Sequence, residues 1–504
     1  LKMWHYLEGA ALFFFVLDKK IYFCWSRFYP PSIISLEIII FNRNLLEKMK
    51  KTTVYTFLLV FLCLQFSNAQ STFAPNQILI SFNENASLTS INNLKGQLGA
   101  TETTILPVSG IRLWTVDNFP INFIDEYGHL QNLYNILEVV NYSAGQASVD
   151  DVGLNYDVDY TTPGSGSSVA PPNVTQYNPI PDCIDFPGTL SCNAGVDNVK
   201  IAIIDTGLDQ AHNFITDHVT DQFNFLTNDN NIRDNNGHGT QISGIITAEL
   251  LTAGASSFEL SVLKAFDNNG QGSLFHAINA IDYAISSDVD IINLSWGYIP
   301  DPLDNYNPIL ESILQQASEA GILIIASAGN NSFDLDQMPY YPAAFTTVEN
   351  LISIAGTNCN GDLASFSNFG LNAVAVGAPA IDISCPTLHG QWIKNSGTSH
   401  SAAITTGIAA QLGTKIQGDF DAGFVKCLIT TQIAPVSNLN NIVTSGGVVD
   451  AERACDMNCQ FGFDYRSDDT LVESQYENAT ISYFPNPFTE EINLSIQTEK
   501  EGEG

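Results

Sequence analysis

The sequence predicts an α/β fold for the second half of the chain: a parallel sheet flanked by helices on both faces, preceded by a small α+β domain. Two observations predict the sheet. Five apolar runs (Val199 to Ile204, Leu260 to Phe266, Ile291 to Leu294, Ile322 to Ala326, Leu351 to Ala355) are continuous rather than alternating, and helical patterns separate them. Such strands belong to a parallel sheet covered on both faces. Residues with chemistry also sit near run ends, Asp205 after the first and Asn330 after another. Ligands of such sheets bind outside the carboxyl ends of the strands.

The chain has 504 residues, more than one domain's worth. Residues 1–48 start with Leu and show no clear periodicity, so they read as upstream sequence outside the true reading start. The alternative there is an additional membrane-active segment, but no apolar run reaches the ~18 residues a span needs. Residues 49–69 read as a signal peptide: Lys48-Met49-Lys50-Lys51, an apolar stretch from Val54 to Phe66, then Ser67-Asn68-Ala69 before a cut at Gln70. Cys63 follows the bulky Phe61-Leu62, unlike a lipid-attachment cysteine.

Residues 70–150 read as the small α+β domain. Gln77 to Phe82 and Ile111 to Val116 are strands, and Ser87 to Leu98 is an amphipathic helix. Asp125 to Leu137 is expected to be helical and Val139 to Tyr142 a short strand. Residues 151–175 are assigned as a linker, because Thr161 to Pro172 is rich in Gly, Ser, Thr and Pro. The α/β domain fills 176–455, a polar linker 456–478, and a short terminal segment 479–504.

Net charge is −34, from 53 acidic and 19 basic residues, and many of the basic ones lie before residue 52. A surface this acidic argues against nucleic acid and anionic lipid as partners, since both recruit clustered Lys and Arg. Of nine cysteines, Cys24 and Cys63 fall in segments expected to be lost; Cys183, Cys192, Cys359, Cys385, Cys427, Cys455 and Cys459 remain as disulfide candidates with one left over. No His partners them at zinc-ligand spacing. The Asp- and Asn-rich loop Asn228 to Asn236 offers hard oxygens to a structural Ca²⁺, but equally reads as a solvated loop. No cofactor is expected for the chemistry.

Three strings carry that chemistry: Asp205-Thr206-Gly207, Gly237-His238-Gly239-Thr240 and Gly397-Thr398-Ser399. A serine hydroxyl is a weak nucleophile at neutral pH. It needs a base within hydrogen-bond reach, and the base needs a carboxylate to hold its tautomer and stabilise its cation. Asp205, His238 and Ser399 supply the three roles. Asp-Thr-Gly and Gly-Thr-Ser are weak signals alone and Gly-His-Gly-Thr is a strong one; the order Asp, His, Ser distinguishes the set from other serine hydrolases. Ser399 should begin a helix running through Ala402, Ala403, Ile404 and Ala409; His238 should begin another.

From about Asn198 to Ala454 the chain thereby resembles the subtilases, subtilisin-like serine proteases. The resemblance implies a subtilisin-like parallel sheet and a secreted serine endopeptidase made as a zymogen. Protein or peptide substrates and its own propeptide would be its partners. It implies that 70–150 is an inhibitor-like propeptide. It also implies that Asn330, in Ala328-Gly329-Asn330, donates its amide to the oxyanion. Such a donor is typically worth a factor of ~100–1,000 in turnover. Ser295-Trp296-Gly297 and a segment near Gly270-Gln271-Gly272 would pair with the substrate backbone. Tyr340, before Tyr341-Pro342-Ala343, would border the base of the pocket for the residue preceding the cut and restrict it. If Tyr340 instead points to solvent, that pocket stays broad.

The segment Tyr483-Phe484-Pro485-Asn486-Pro487-Phe488, followed by Ile492-Asn493-Leu494, resembles the start of a C-terminal sorting domain of the type IX secretion system, truncated at Gly504. An ordinary turn before a hairpin is the plainer reading. With the signal peptide it predicts export to the exterior or cell surface, the secretion machinery as partner, and no stable membrane association after processing. The chain departs from the subtilase pattern after the nucleophile, where His400-Ser401 and Ala403 replace Met-Ala and Pro, and after Gly-His-Gly-Thr, where Gln241 replaces His. An aspartic protease at Asp205 would need a second Asp-Thr-Gly-like element, which is missing. An esterase reading fails Gly-x-Ser-x-Gly at Ser401. A non-catalytic scaffold would not keep all three triad residues and Asn330.

Overall fold

The computed structural model describes residues 73–459, apart from 125–129, 161–166, 184–185, 302–305, 417 and 458, together with strands at 5–7, 10–17, 20–28, 34–42, 479–484 and 493–498. The expectation for the signal peptide lies outside them, and of the sorting segment only the antiparallel pair Ala479–Phe484 and Asn493–Thr498 is described. The chain divides into Leu1–Gln70 and Ser71–Gly504; only the second unit is described below.

An N-terminal sheet comes first. β1 (Phe73–Phe82), β2 (Thr101–Ile105), β3 (Arg112–Thr115) and β4 (Val149–Asp159) pair in the order β4-β1-β3-β2, all antiparallel. Two helices accompany it, α1 (Leu88–Leu98), capped by the Ser87 side chain, and α2 (Ile136–Ala144), capped by Asn135.

Three expectations need correction here. The stretch predicted as a helix from Asp125 to Leu137 instead holds the strand Leu130–Leu133, paired with Ile121–Ile124 ahead of it, and only its end enters α2; the predicted strand Val139 to Tyr142 lies inside α2. The reason is local. Ile136, Val139, Val140 and Ser143 are buried at helical spacing, the Asn135 side chain accepts the Glu138 N–H at 3.0 Å, and Glu138 accepts the Tyr134 N–H at 2.6 Å. The linker assigned to 151–175 also starts too early. Val152, Leu154, Tyr156 and Val158 are buried while Asp157 and Asp159 face outward, the period-two pattern of a strand.

The α/β domain is a nine-stranded sheet. Its strands are β5 (Lys200–Asp205), β6 (Val219–Asn224), β7 (Glu259–Lys264), β9 (Ile291–Leu294), β10 (Leu323–Ser327), β11 (Leu351–Thr357), β12 (Val376–Pro379), β15 (Ile433–Pro435) and β16 (Gly447–Val449). They run β6-β7-β5-β9-β10-β11-β12-β16-β15, all parallel except the β15–β16 pair. A short strand β8 (Gln271–Ser273) and the hairpin β13 (Ile383–Thr387) and β14 (Gln391–Asn395) lie outside that sheet.

Helices cover both faces. α3 (His238–Thr252), α6 (Thr398–Gly413) and α7 (Ala422–Thr431) pack on one, around Ile203, Ile245, Ile325 and Ile404. α4 (Leu274–Ser286) and α5 (Pro308–Glu319) pack on the other. α3 and α6 are buried almost all round, which explains why neither shows a one-sided apolar stripe.

The N-terminal sheet lies against α4 and α5. Buried Asp282 on α4 accepts the backbone N–H groups of Val108 at 3.1 Å and Ser109 at 2.7 Å. Asn307, the cap of α5, donates to the Leu154 carbonyl at 3.0 Å. Ile78, Tyr156, Ile281 and Leu310 belong to one apolar core.

Three disulfides join Cys183 to Cys359, Cys192 to Cys455 and Cys427 to Cys459, with Cα separations of 5.4, 6.4 and 5.9 Å. The odd thiol is Cys385, buried on β13.

Candidate active site

Asp205 is the last residue of β5 and is buried. His238 is the first residue of α3. Its Nδ1–H donates to the Asp205 carboxylate, 2.8 Å from Oδ1 and 3.0 Å from Oδ2. The glycines around them permit this approach. A Cβ on Gly239 would lie 2.3 Å from the Gly207 carbonyl oxygen, and one on Gly207 would lie 2.1 Å from that of Ile232. Both chain segments must be bare there for strand end and helix start to meet.

Two polar residues that sequence reasoning missed brace this corner. Asp234 accepts the Gly237 N–H at 2.8 Å, the Thr240 N–H at 3.0 Å and the Thr206 hydroxyl at 3.1 Å. It thereby satisfies unpaired donors at the start of α3. The buried Lys264 ammonium donates to the carbonyls of Thr206 and, at 2.9 Å, Phe266. The signal for Asp234 was its place just before the Gly-His-Gly-Thr string; Lys264, at the end of an apolar run, carried no warning of its role. Because Asp229 and Asp234 spend their oxygens on nearby backbone N–H groups, the loop Asn228 to Asn236 is held by its own hydrogen bonds. Among the described residues no three His, Cys, Asp or Glu side chains converge as a metal-binding set.

Ser399 is the second residue of α6. Its hydroxyl donates to the Ser295 carbonyl at 3.0 Å, while His238 Nε2 is buried with no hydrogen-bond partner. Asn330 follows Gly329, whose φ is +96°. The Asn330 side-chain oxygen accepts the Thr398 N–H at 2.9 Å, which makes its NH₂ the donating end.

His400, next to Ser399, is fully buried; burial, with His238 nearby, holds its pKa down at about 3. The neutral ring donates from Nε2 to Gln241 Oε1 at 3.0 Å, and Asn395 donates to the same oxygen at 2.9 Å. The rings of His238 and His400 are 6.3 Å apart, edge to face.

The chain's own backbone pairs with segments expected to bind substrate. β4 pairs antiparallel with β8: Asp157 lies opposite Ser273, Val158 opposite Gly272 and Asp159 opposite Gln271. On its other side Asp159 exchanges two backbone hydrogen bonds with Gly297, at 3.2 and 2.9 Å. Trp296 is buried against Phe266, ring centroids 5.7 Å apart. Tyr160 stacks on His238 with centroids 3.6 Å apart and 16° between planes. Gly270 has φ +78° and packs against Tyr160. Tyr340 is buried between two glycines: a Cβ on Gly297 would lie 2.3 Å from its ring, and one on Gly329 would lie 2.9 Å away.

Residues 196–446 match the subtilase family. The chain is 31% identical over 303 residues to the thermophilic serine proteinase of Bacillus sp. (strain AK1), covering 58% of this chain and 71% of that one. The chain belongs to the subtilase family. Membership makes it a serine endopeptidase of subtilisin-like α/β fold. It is also 29% identical over 304 residues to the minor extracellular protease Epr of Bacillus subtilis (strain 168), covering 56% of this chain but only 44% of that protein. Crystalline fervidolysin from Fervidobacterium pennivorans, a keratinolytic enzyme related to subtilisin, superposes with a TM-score of 0.58 at 16% identity, over 77% of this chain and 62% of that one. That likeness concerns the fold alone.

Proposed function

We propose that the chain is the self-inhibited precursor of a secreted endopeptidase, in which Asp205, His238 and Ser399 cleave protein substrates through an acyl-enzyme. One observation carries this reading. The chain's own strand Asp157–Asp159 lies paired between β8 and Gly297, and its next residue, Tyr160, lies on His238. A groove that holds extended backbone by its hydrogen bonds suits a peptidase better than an esterase. A segment already in that groove excludes other substrates.

In the reaction the Ser399 hydroxyl turns from the Ser295 carbonyl to His238 Nε2, which takes its proton as Oγ attacks the peptide carbonyl. Asp205 holds Nδ1–H and stabilises the imidazolium. The Asn330 amide and the Ser399 N–H face the developing oxyanion, helped by the positive end of α6. His238 then passes the proton to the departing amine. The released Ser295 carbonyl is free to accept a substrate N–H.

Antiparallel register supports a position for the cut. With Asp159 opposite Gly297, the residue two further along a bound chain lies opposite Ser295, beside the nucleophile. Counted along the sequence that residue would be Thr161, and Thr161–Thr162 is the bond we propose is cut. Residues 70–161 then act as propeptide, and Tyr340 closes the pocket that receives the residue before the cut. Three disulfides fit export into an oxidising environment, by the signal peptide 49–69 and the type IX route proposed from the sequence.

The test is Ser399→Ala. The variant should fold, stay uncut and lose labelling by a fluorophosphonate probe that marks the matured wild type. Peptidase activity near wild type in the purified variant would reject the assignment.

A further inference from the structure

The Tyr160 contacts are more selective than backbone pairing requires. One face of its ring lies on the His238 imidazole at 3.6 Å. On the side of Gly270 the wall has no side chain, and a Cβ there would lie 2.3 Å from the ring. The phenol O–H donates to Asn236 Oδ1, whose oxygen also accepts the His238 N–H at 3.1 Å. Asn236 NH₂ is in turn anchored on the Asn268 carbonyl at 3.1 Å. A flat slot, a bare glycine wall and a fixed acceptor at the depth of a phenol oxygen describe a tyrosine side chain. A phenylalanine would leave Asn236 Oδ1 without that donor, and a smaller residue would leave the His238 face bare.

We infer that this slot is a specificity subsite: the mature enzyme selects substrates carrying tyrosine at the residue preceding the one whose carbonyl is attacked, and Asn236 is the residue that reads its hydroxyl. This rests on the peptidase reading and names its substrate class. The slot also ties recognition to turnover. The imidazole under the ring becomes cationic as it takes the Ser399 proton, and the electron-rich face of a phenol favours a cation. Burial of the phenol, with Asp205 nearby, raises its pKa and keeps it a neutral donor. Val158 is fully buried two residues earlier, so aliphatic-x-tyrosine is the pattern the groove accepts in its own chain.

The test uses the full-length secreted chain after self-processing and internally quenched peptides reproducing residues 155–164, with position 160 as Tyr, Phe, Leu or Ala. One neutral hydrogen bond predicts a kcat/KM for Tyr roughly 3- to 10-fold above that for Phe. Leu and Ala should be lower still. The Tyr-to-Phe ratio should fall to about one in Asn236→Leu and persist in Asn236→Asp, which keeps an acceptor oxygen; a ratio within one variant is insensitive to general loss of activity. Should Asn236→Leu fail to mature, Gly270→Ala is the second reading: its Cβ enters the slot, and Ala should then be preferred over Tyr. Equal cleavage of the Tyr and Phe peptides by wild type, or an unchanged ratio in Asn236→Leu, overturns the subsite while leaving the peptidase reading intact. Failure of the matured wild type to cut any of the four peptides, or casein, overturns both.

Discussion

Tyr340→Gly tests whether Tyr340 closes the pocket proposed for the residue before the cut. The Tyr340 ring fills the space between Gly297 and Gly329, within 2.3 and 2.9 Å of where their Cβ atoms would be. Neither wall carries a side chain, so the ring alone decides what else enters. In the wild type a large residue must displace a buried side chain, and overfilling a packed site costs about 1–3 kcal/mol. Small and medium residues should therefore be cleaved in preference to Phe or Tyr. Removing the ring opens an apolar slot between two backbone walls. A phenyl group entering it buries about 1.5–3 kcal/mol of apolar surface. At about 1.4 kcal/mol per tenfold, kcat/KM for Phe should rise roughly 10- to 150-fold relative to Ala. Emptying the site also destabilises the fold, by about 3–5 kcal/mol if it does not collapse, so rates are compared at a temperature where both proteins remain folded. The assay is kcat/KM on matched peptides with Ala, Leu or Phe before the scissile bond. A wild type that already prefers Phe, or a variant with an unchanged ranking, would refute the argument.

Two further outcomes follow from the same structure. Amino-terminal sequencing of the mature secreted enzyme should read from Thr162, within the stretch joining the compact N-terminal domain to the catalytic one; an active enzyme starting at Gln70 would reject the precursor reading. Glu249→Gln should change the pH dependence of stability: Glu249 is buried between α3 and α6, burial raises its pKa well above the ordinary 4.5, and one carboxyl oxygen has no partner. A raised folded-state pKa gives stability that is complete below the unfolded value and lost as pH rises through the folded one, so the melting temperature of the variant should match wild type near pH 4 and exceed it progressively at higher pH. A constant difference across pH would show that Glu249 does not titrate in the fold.

What the sequence made legible has a physical pattern. The central strands and the helices beginning at His238 and Ser399 follow from continuous apolar runs and glycine-bracketed polar residues, signals that local chemistry suffices to read. The misread pieces lie where composition misled. The Gly-, Ser-, Thr- and Pro-rich run Thr161 to Pro172 drew the linker back to 151, although Val152, Leu154, Tyr156 and Val158 alternate as a strand should. Asp125 to Leu137 has scattered apolar residues compatible with a helix, and only the capping pair Asn135 and Glu138 marks where the helix begins. Lys264 and Asn236 were invisible as site residues, and Asp234 was marked only by its place before Gly-His-Gly-Thr, because their roles depend on which strand ends the topology brings together.

The two departures from the subtilase pattern show the same limit from the other side. In the sequence, Gln241 after Gly-His-Gly-Thr and His400 after the nucleophile look like independent losses 159 residues apart. In the fold they are partners. Gln241 lies one turn beyond His238 on α3, His400 one residue beyond Ser399 on α6, and the imidazole donates to the amide oxygen while Asn395 supplies a second donor. A buried imidazole without that acceptor would leave an unsatisfied N–H, at a cost of about 1–3 kcal/mol. With it, the helices carrying His238 and Ser399 are joined by a hydrogen bond. The ring cannot serve as a competing base, since its pKa of about 3 keeps it neutral and its Nε2 proton is committed to Gln241. The two departures therefore act together, as one hydrogen bond between the helix that begins at His238 and the helix that carries Ser399.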